Sequence, residues 1–219
     1  MEVEMKAKVT MQQIFDVLDE KFDKKFHISR GGGWHALHKV DEYFSFNGIE
    51  PKKPHDIVRL RSTVGISPDY SVVDIINRKY DIKLGPECLP KTELTVKRKN
   101  TSSDGIEANE EFEGPLDMNA TTAFLKFLEI CNFKPYFRKQ KTSISFYVEK
   151  WETHEEIHCE FVVVNGIGPF LEIEKVVNDE KDTQAAEHLI KEFFKSALGI
   201  GPKDFIAASW PEIIEKVGK

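Results

Sequence analysis

Residues 2–8 read Glu2-Val3-Glu4-Met5-Lys6-Ala7-Lys8, and their strict alternation decides how the chain is read. Side chains two apart on a strand share a face. Glu2, Glu4, Lys6 and Lys8 therefore stand on one side, with Val3, Met5 and Ala7 on the other. A helix over the same residues would scatter both sets around its axis. Residues 1–9 are expected to form a strand with one charged and one apolar face. Thr10 and Gln13 then make a capping box, and Ile14, Val17, Leu18 and Phe22 follow at helical spacing. The strand runs straight into an amphipathic helix.

The same two-residue period returns along the chain. Strands are expected at 39–47 and 56–63, where Arg59 and Arg61 share a face opposite Val58 and Leu60. Residues 93–99 and 106–113 read as a hairpin joined by a polar turn ending in Asp104-Gly105. Its first strand sets Thr95, Lys97 and Lys99 opposite Leu94 and Val96, and its second pairs Glu111 with Glu113. Strands at about 136–149, 156–164 and 169–177 follow, carrying Lys139 with Lys141 and Glu172 with Glu174. Helices are expected at about 119–131, after a capping Asp182 up to Gly199, and after Ser209 with Glu212. The stretch 64–91, broken by Pro68, Gly85, Pro86 and Pro90, reads as an insertion with a short helix around Val72–Ile76. About eight mostly antiparallel strands and four helices make an α+β fold. Many strands with short turns also permit a closed barrel.

Composition narrows the class. Apolar residues are 40% of the 219, with 16 Phe, enough to fill a core. A net charge of −6 argues against a duplex nucleic acid as partner, which needs a broad basic surface. Cys88, Cys131 and Cys159 form neither a disulfide framework nor a CxxC zinc pair. The N-terminus has no apolar signal region, and no apolar run approaches membrane-spanning length. A soluble, cytoplasmic protein with no membrane partner is expected.

For any one strand, a charged face in water is a sufficient explanation. A closed barrel would instead turn all these faces inward. Lys6, Lys8, Arg59, Arg61, Lys97, Lys99, Lys139 and Lys141 would then share an interior with Glu2, Glu4, Glu111, Glu113, Glu172 and Glu174. Buried charges are costly unless paired. A polyanion plus a divalent cation would compensate both signs. Lysine and arginine suit phosphate oxygens, and carboxylates two apart on a strand can both reach Mg²⁺ or Mn²⁺.

The motifs resemble those of the CYTH, or triphosphate tunnel metalloenzyme, superfamily. Glu2-Val-Glu4-Met-Lys6 matches its ExExK start, Arg59-Leu-Arg61 its RxR strand, and Thr95-Val-Lys97 its TxK strand. Glu111-Phe-Glu113 resembles the ExE of its RxExE strand, and Lys139-Gln-Lys141 stands where the family has KxR. The run Gly166-Ile-Gly168-Pro-Phe-Leu-Glu172-Ile-Glu174 resembles its closing strand. The resemblance implies an eight-stranded antiparallel closed tunnel with flanking helices over residues 1–200, with 201–219 as a C-terminal helical extension. It implies Glu2, Glu4, Glu172 and Glu174 as metal carboxylates, joined by Glu111 and Glu113. Glu160 matches an acidic residue of the penultimate strand. Lys6, Arg59, Arg61, Lys97, Lys139 and Lys141 would hold a triphosphate, with Lys8 and Lys99 added by alternation. Tyr43, in a segment like the family's D-x-Y-F, and Lys97 are the proton-transfer candidates. Asn109 and Lys141 replace family arginines, which weakens bidentate phosphate contact.

Two signals are set aside. His154-Glu155-Glu156-Ile157-His158 matches HExxH, but that zinc motif needs a helix, and on a strand positions i and i+4 lie about 13 Å apart. Gly31–Gly33 has no phosphate-binding helix pattern after it and reads as a loop. The leading expectation is a hydrolase dependent on Mg²⁺ or Mn²⁺, acting on tripolyphosphate, a nucleoside triphosphate or thiamine triphosphate. The alternatives are a class IV adenylyl cyclase making cyclic AMP and pyrophosphate, and a non-catalytic nucleotide- or polyphosphate-binding protein. An RNA 5′-triphosphatase is more remote. The C-terminal helices are candidates to plug the tunnel mouth or to form a homodimer contact.

Overall fold

The structure, a computed structural model, describes residues 1–29, 33–49, 56–81, 91–101, 107–206 and 208–217. The expected turn at Asp104-Gly105, residues 82–90 of the expected insertion with Cys88, and Gly31 and Gly32 lie outside them. The N-terminal alternation forms β1 (Glu2–Lys8), with Val3, Met5 and Ala7 buried. The Thr10 hydroxyl accepts from the Gln13 N–H at the start of α1 (Met11–Leu18), and the Gln13 side chain accepts from the Thr10 N–H at 2.9 Å. α1 ends before Phe22. Glu20 is left-handed at φ 53, a conformation no right-handed helix continues through. Phe22 still packs edge-on against Phe193.

The chain continues through β2 (Phe26–Ile28), β3 (His35–Phe46), β4 (Asp56–Gly65) and α2 (Val72–Ile76). Then come β5 (Lys91–Thr101), β6 (Glu107–Leu116), α3 (Met118–Ile130), β7 (Phe133–Lys150), β8 (Glu155–Val164) and β9 (Ile167–Val176). α4 (Thr183–Leu198) and α5 (Trp210–Val217) close it. α4 buries the expected Ala186, Leu189, Ile190, Phe193 and Phe194 and stops at Gly199, left-handed at φ 66. Asp182 makes no side-chain cap. A 3-10 turn over Glu180–Asp182, itself capped by Asp179, leads directly into the helix.

The sheet is antiparallel in the order β7-β3-β4-β5-β6-β1-β9-β8, with the short β2 beside β7, and β8 also pairs with β7. The α+β class and the eight-strand curled arrangement with flanking helices stand. The expected closed tunnel is corrected. β1 pairs with β9 along its whole length, but among the described residues it meets β6 only at Glu2–Glu4. The sheet is an open, curled barrel, and among the described residues β6 leaves Met5–Lys8 of β1 unpaired on that side. The C-terminal segment takes part of that free edge. The Ile206 N–H donates to the Lys6 carbonyl at 2.9 Å, and Phe205 bridges Ala7. Backbone groups there would otherwise lose partners on burial.

The main apolar core lies outside the barrel wall. Met5, Ile144, Phe161 and Ile173 on the sheet pack against Ile14 of α1, Ile75 of α2 and Phe193 of α4. On another side α3 sets Leu128 over Phe44 and Leu60. A third cluster joins Val162, Val164 and Phe170 to Trp210 and Ile213 of α5. These three strand residues share a parity with Glu160 and Glu172, so α5 packs on the inner side of β8 and β9 at that level.

The closing-strand glycine has a steric reason. Gly168 has φ 145, and a Cβ there would meet the Val162 carbonyl oxygen at 2.8 Å. Gly168→Ala is expected to lose roughly 1–3 kcal/mol in urea unfolding. Gly201→Ala, with nothing within 4 Å of the added carbon, should be nearly neutral. Equal tolerance at both positions would contradict this reading of the β8–β9 turn.

Candidate active site

Alternate residues of eight strands line one cavity of about 360 Å³. β1 brings Glu2, Glu4 and Lys6, β3 brings Lys39 and Tyr43, and β4 brings Arg59 and Arg61. β5 and β6 add Thr95, Lys97, Glu111 and Glu113. β7 supplies Lys139 and Lys141, β8 supplies His158 and Glu160, and β9 supplies Glu172 and Glu174. Trp210, at the start of α5, completes this wall. Nearly every sequence candidate is thus brought together. Lys8 is the exception. It pairs with Phe170, at the level occupied by Trp210 and Ile213, and its side chain is exposed outside the cavity. Lys99 lies on β5 opposite Asn109, and both side chains fall outside the described set.

One end of the cavity is rich in cations. Asp41 has no exposed surface and is gripped by Arg61 at 2.7 and 3.0 Å and by Lys139 at 3.0 Å. The Tyr43 hydroxyl donates to it at 3.3 Å. Burial works to raise the Asp41 carboxyl, but Lys139 and Arg61 outweigh it and hold it well below its ordinary range. Lys39 lies 2.5 Å from Glu160, and Lys141 bridges Glu160 and Glu172. The Trp210 indole N–H donates to the second Glu172 oxygen at 2.7 Å. Against the burial that would raise it, Glu172 is held at about 2 by Lys141 and Lys139.

The other end is rich in carboxylates. The Lys97 ammonium lies 2.6 Å from Glu2, 3.3 Å from Glu111 and 3.7 Å from Glu4. Burial works to raise the Glu2 carboxyl, but Lys97 holds it below its ordinary range, helped by the neighbouring Glu111 and Glu174 carboxyls. Burial and the bond to Glu2 push Glu111 up to about 7, although Lys97 opposes them. Burial disfavours the Lys97 ammonium, but Glu4, Glu2 and Glu111 prevail and raise it above its ordinary value. Arg59 donates to Thr95 at 2.7 Å and to Glu113 at 3.0 Å. Lys97 and Tyr43, the expected proton-transfer pair, share the cavity but bond to opposite ends of it, Lys97 to Glu2 and Tyr43 to Asp41.

This acidic end fits a hard divalent cation. A positive charge already stands among Glu2, Glu4 and Glu111, and oxygen-only donors are what Mg²⁺ and Mn²⁺ prefer. Among the described residues, no group of three or more His, Cys, Asp or Glu side chains stands ready to hold a metal ion. Lys97 and neighbouring carboxyls now satisfy those oxygens. Lys39, His158 and Trp210, which line the cavity, and Asp41, fully buried beside it, are not site candidates in the sequence reading. Lys39 and Asp41 continue the alternation that ends in Tyr43. His158 lies two residues before Glu160 on β8, inside the discounted HExxH run, while His154 sits in the preceding turn and bonds Glu149. Nothing local marks Trp210, which the path of the C-terminal segment places there.

The fold is thus a curled antiparallel barrel whose cavity carries two oppositely charged poles. The CYTH domain family matches residues 1–209, and the chain belongs to that family. No curated protein matches it by sequence. Among solved structures it resembles the PH1819 protein from Pyrococcus horikoshii OT3, at TM-score 0.64 and 21% identity over 99% of both chains. A Vibrio parahaemolyticus protein provisionally described as an adenylate cyclase aligns at TM-score 0.61 and 14% identity, covering 98% of this chain and 97% of that one. A Hippeastrum protein, described as an adenylyl cyclase candidate with a dominant triphosphatase activity, aligns at 0.56 and 16%, covering 100% and 97%. No helix among the described residues is long and apolar enough to cross a membrane.

The Asp41 cluster has a pH signature. Its folded-state pKa lies below the ordinary 3.8, so its stabilisation is complete above that value and is lost as pH falls through the folded pKa. Asp41→Asn leaves Arg61 and Lys139 without their shared anion and is expected to cost about 3–5 kcal/mol near pH 7. The gap to wild type in denaturant unfolding should narrow below about pH 4. A gap constant with pH would contradict the role given to this carboxylate.

Proposed function

We propose that this protein is a divalent-metal-dependent hydrolase of small molecules carrying a triphosphate: tripolyphosphate, a nucleoside triphosphate or thiamine triphosphate. The observation that carries the reading is the separation of the cavity into two poles. Around Lys97, carboxylates outnumber cations. Around Asp41, Lys39, Arg61, Lys139 and Lys141 dominate. A phosphate chain suits the second and a hard cation the first.

Glu2, Glu4 and Glu174, with Glu111, would hold the Mg²⁺ or Mn²⁺. That ion supplies charge compensation for the transferred phosphoryl oxygens. Glu113, Glu160 and Glu172 act instead as charge partners of Arg59, Lys39 and Lys141. Arg59, Arg61, Lys139 and Lys141, with Lys6, align the phosphate chain. Tyr43 orients the attacking water beside the chain. Lys97, whose ammonium stands against burial because Glu4, Glu2 and Glu111 favour it, and Tyr43 are the proton-transfer candidates. A second reading, adenylyl cyclase, draws on the description of the Vibrio neighbour. The Hippeastrum neighbour's description favours hydrolysis.

The test incubates the protein with Mg²⁺ or Mn²⁺ and a panel of tripolyphosphate, ATP, GTP and thiamine triphosphate, resolving all products. Orthophosphate release that stops on chelation is expected. Glu4→Gln and Glu174→Gln should each lower kcat/KM by about a hundredfold or more. Cyclic AMP with pyrophosphate would replace the hydrolase by the cyclase. Tight binding with no product would make the protein a polyphosphate receptor.

A further inference from the structure

We infer that Trp210 of α5 is a positioning residue of the phosphate-binding pole: its indole N–H takes one oxygen of Glu172 and so keeps a donor of Lys141 for the phosphate chain. The inference rests on the triphosphate reading above and gives the C-terminal helix a part in it.

The C-terminal segment is fixed where it meets the barrel. The Ile206 N–H donates to the Lys6 carbonyl, and the Phe205 ring meets Phe194 of α4 edge-on with centroids 5.2 Å apart. Ser209 then starts α5, its backbone N–H and hydroxyl both donating to Glu212, at 2.7 and 2.9 Å. Trp210 follows. It is buried, and its ring stands perpendicular to that of Phe170, 5.2 Å away. Ile213, one turn on, packs in the same cluster. Packing and capping therefore fix the indole before its polar atom finds a partner.

That partner is Glu172. Trp210 Nε1 donates to Oε1 at 2.7 Å, while Lys141 Nζ donates to Oε2 at 2.5 Å. Lys141 also bonds Glu160, which Lys39 holds through its other oxygen at 2.5 Å. A chain of bonds thus runs from Trp210 through Glu172, Lys141 and Glu160 to Lys39. All five side chains are buried, and all five line the cavity.

The donor's chemistry gives the chain its purpose. An indole N–H is an uncharged donor, so it satisfies a buried carboxylate oxygen without drawing on a cation. An ammonium carries three donors. Glu160 and Glu172 take two of those on Lys141, which leaves the third for a phosphate oxygen. Without the indole N–H, Glu172 Oε1 would be a buried acceptor with its bond broken, which is costly. Lys141 already lies on the other oxygen, and turning a second donor to Glu172 would remove it from the phosphate. Trp210 acts on the substrate through these two residues.

The test is a calorimetric titration of the full-length protein, in Mn²⁺, with a tripolyphosphate analogue bridged by imido groups. Trp210→Phe keeps a ring against Phe170 but removes the N–H, and is expected to weaken binding roughly tenfold. In a Glu172→Gln background the same change should have almost no effect, because the two residues act as one unit. Ile213→Ala loosens α5 and leaves the indole bond, so it should lower Tm with affinity nearly unchanged. In protein labelled with ¹⁵N-tryptophan, the indole resonance that is missing from Trp210→Phe should shift in Glu172→Gln. Equal affinity in wild type and Trp210→Phe, an equal loss in Ile213→Ala, or an indole resonance unmoved by Glu172→Gln would overturn the positioning role while leaving the triphosphate site standing. Wild-type protein that does not bind the analogue would overturn both.

Discussion

Opposite charges buried face to face inside a curled sheet are the constraint on which the rest of the structure depends. Taking an isolated carboxylate or ammonium out of water costs several kcal/mol, and only close, well-bonded partners offset it. Asp41 with Arg61 and Lys139, and Glu160 with Lys39 and Lys141, are such partners. Polar pairing of this kind adds little net stability, so the fold must be held from elsewhere. That is the role of the outer apolar face, where α1, α2 and α4 cover the same strands whose inner faces carry the charges. The period of two on each strand is what allows one element to serve both purposes.

The internal pairing also explains how so many charges can line one cavity. Lys97 rests among carboxylates that a cation would otherwise bridge, and the cations around Asp41 outnumber their partners. Under the proposed function, binding would exchange internal ion pairs for pairs with metal and phosphate. Such an exchange costs less than creating fresh buried charge. It also ties the two ends together, because filling one pole alone leaves an excess of one sign in a confined space.

Much of this was legible in the sequence because alternation is strictly local. Glu2-Val-Glu4-Met-Lys6 shows its two faces without any knowledge of the fold, and Arg59-Leu-Arg61 and Glu172-Ile-Glu174 do the same. What alternation cannot show is where the interior ends. Lys8 has the right parity but lies at the level that α5 fills. Nor does parity reveal how each residue is partnered. Glu172 and Glu160 have the residue type of metal ligands, yet lysines hold them. His158 was hidden by a motif whose meaning depends on a helix. Trp210 depends on a long-range return of the chain across the free edge of β1. The three-residue β2 is too short to show a period at all.

The exchange of internal for external ion pairs is tested most directly by thermal unfolding of the full chain in three conditions. These are Mn²⁺ alone, a non-hydrolysable tripolyphosphate analogue alone, and both together. Coupled poles require that each ligand tighten the other, so the rise in Tm with both present should exceed the sum of the separate rises. A combined rise no greater than that of either ligand alone would contradict the account.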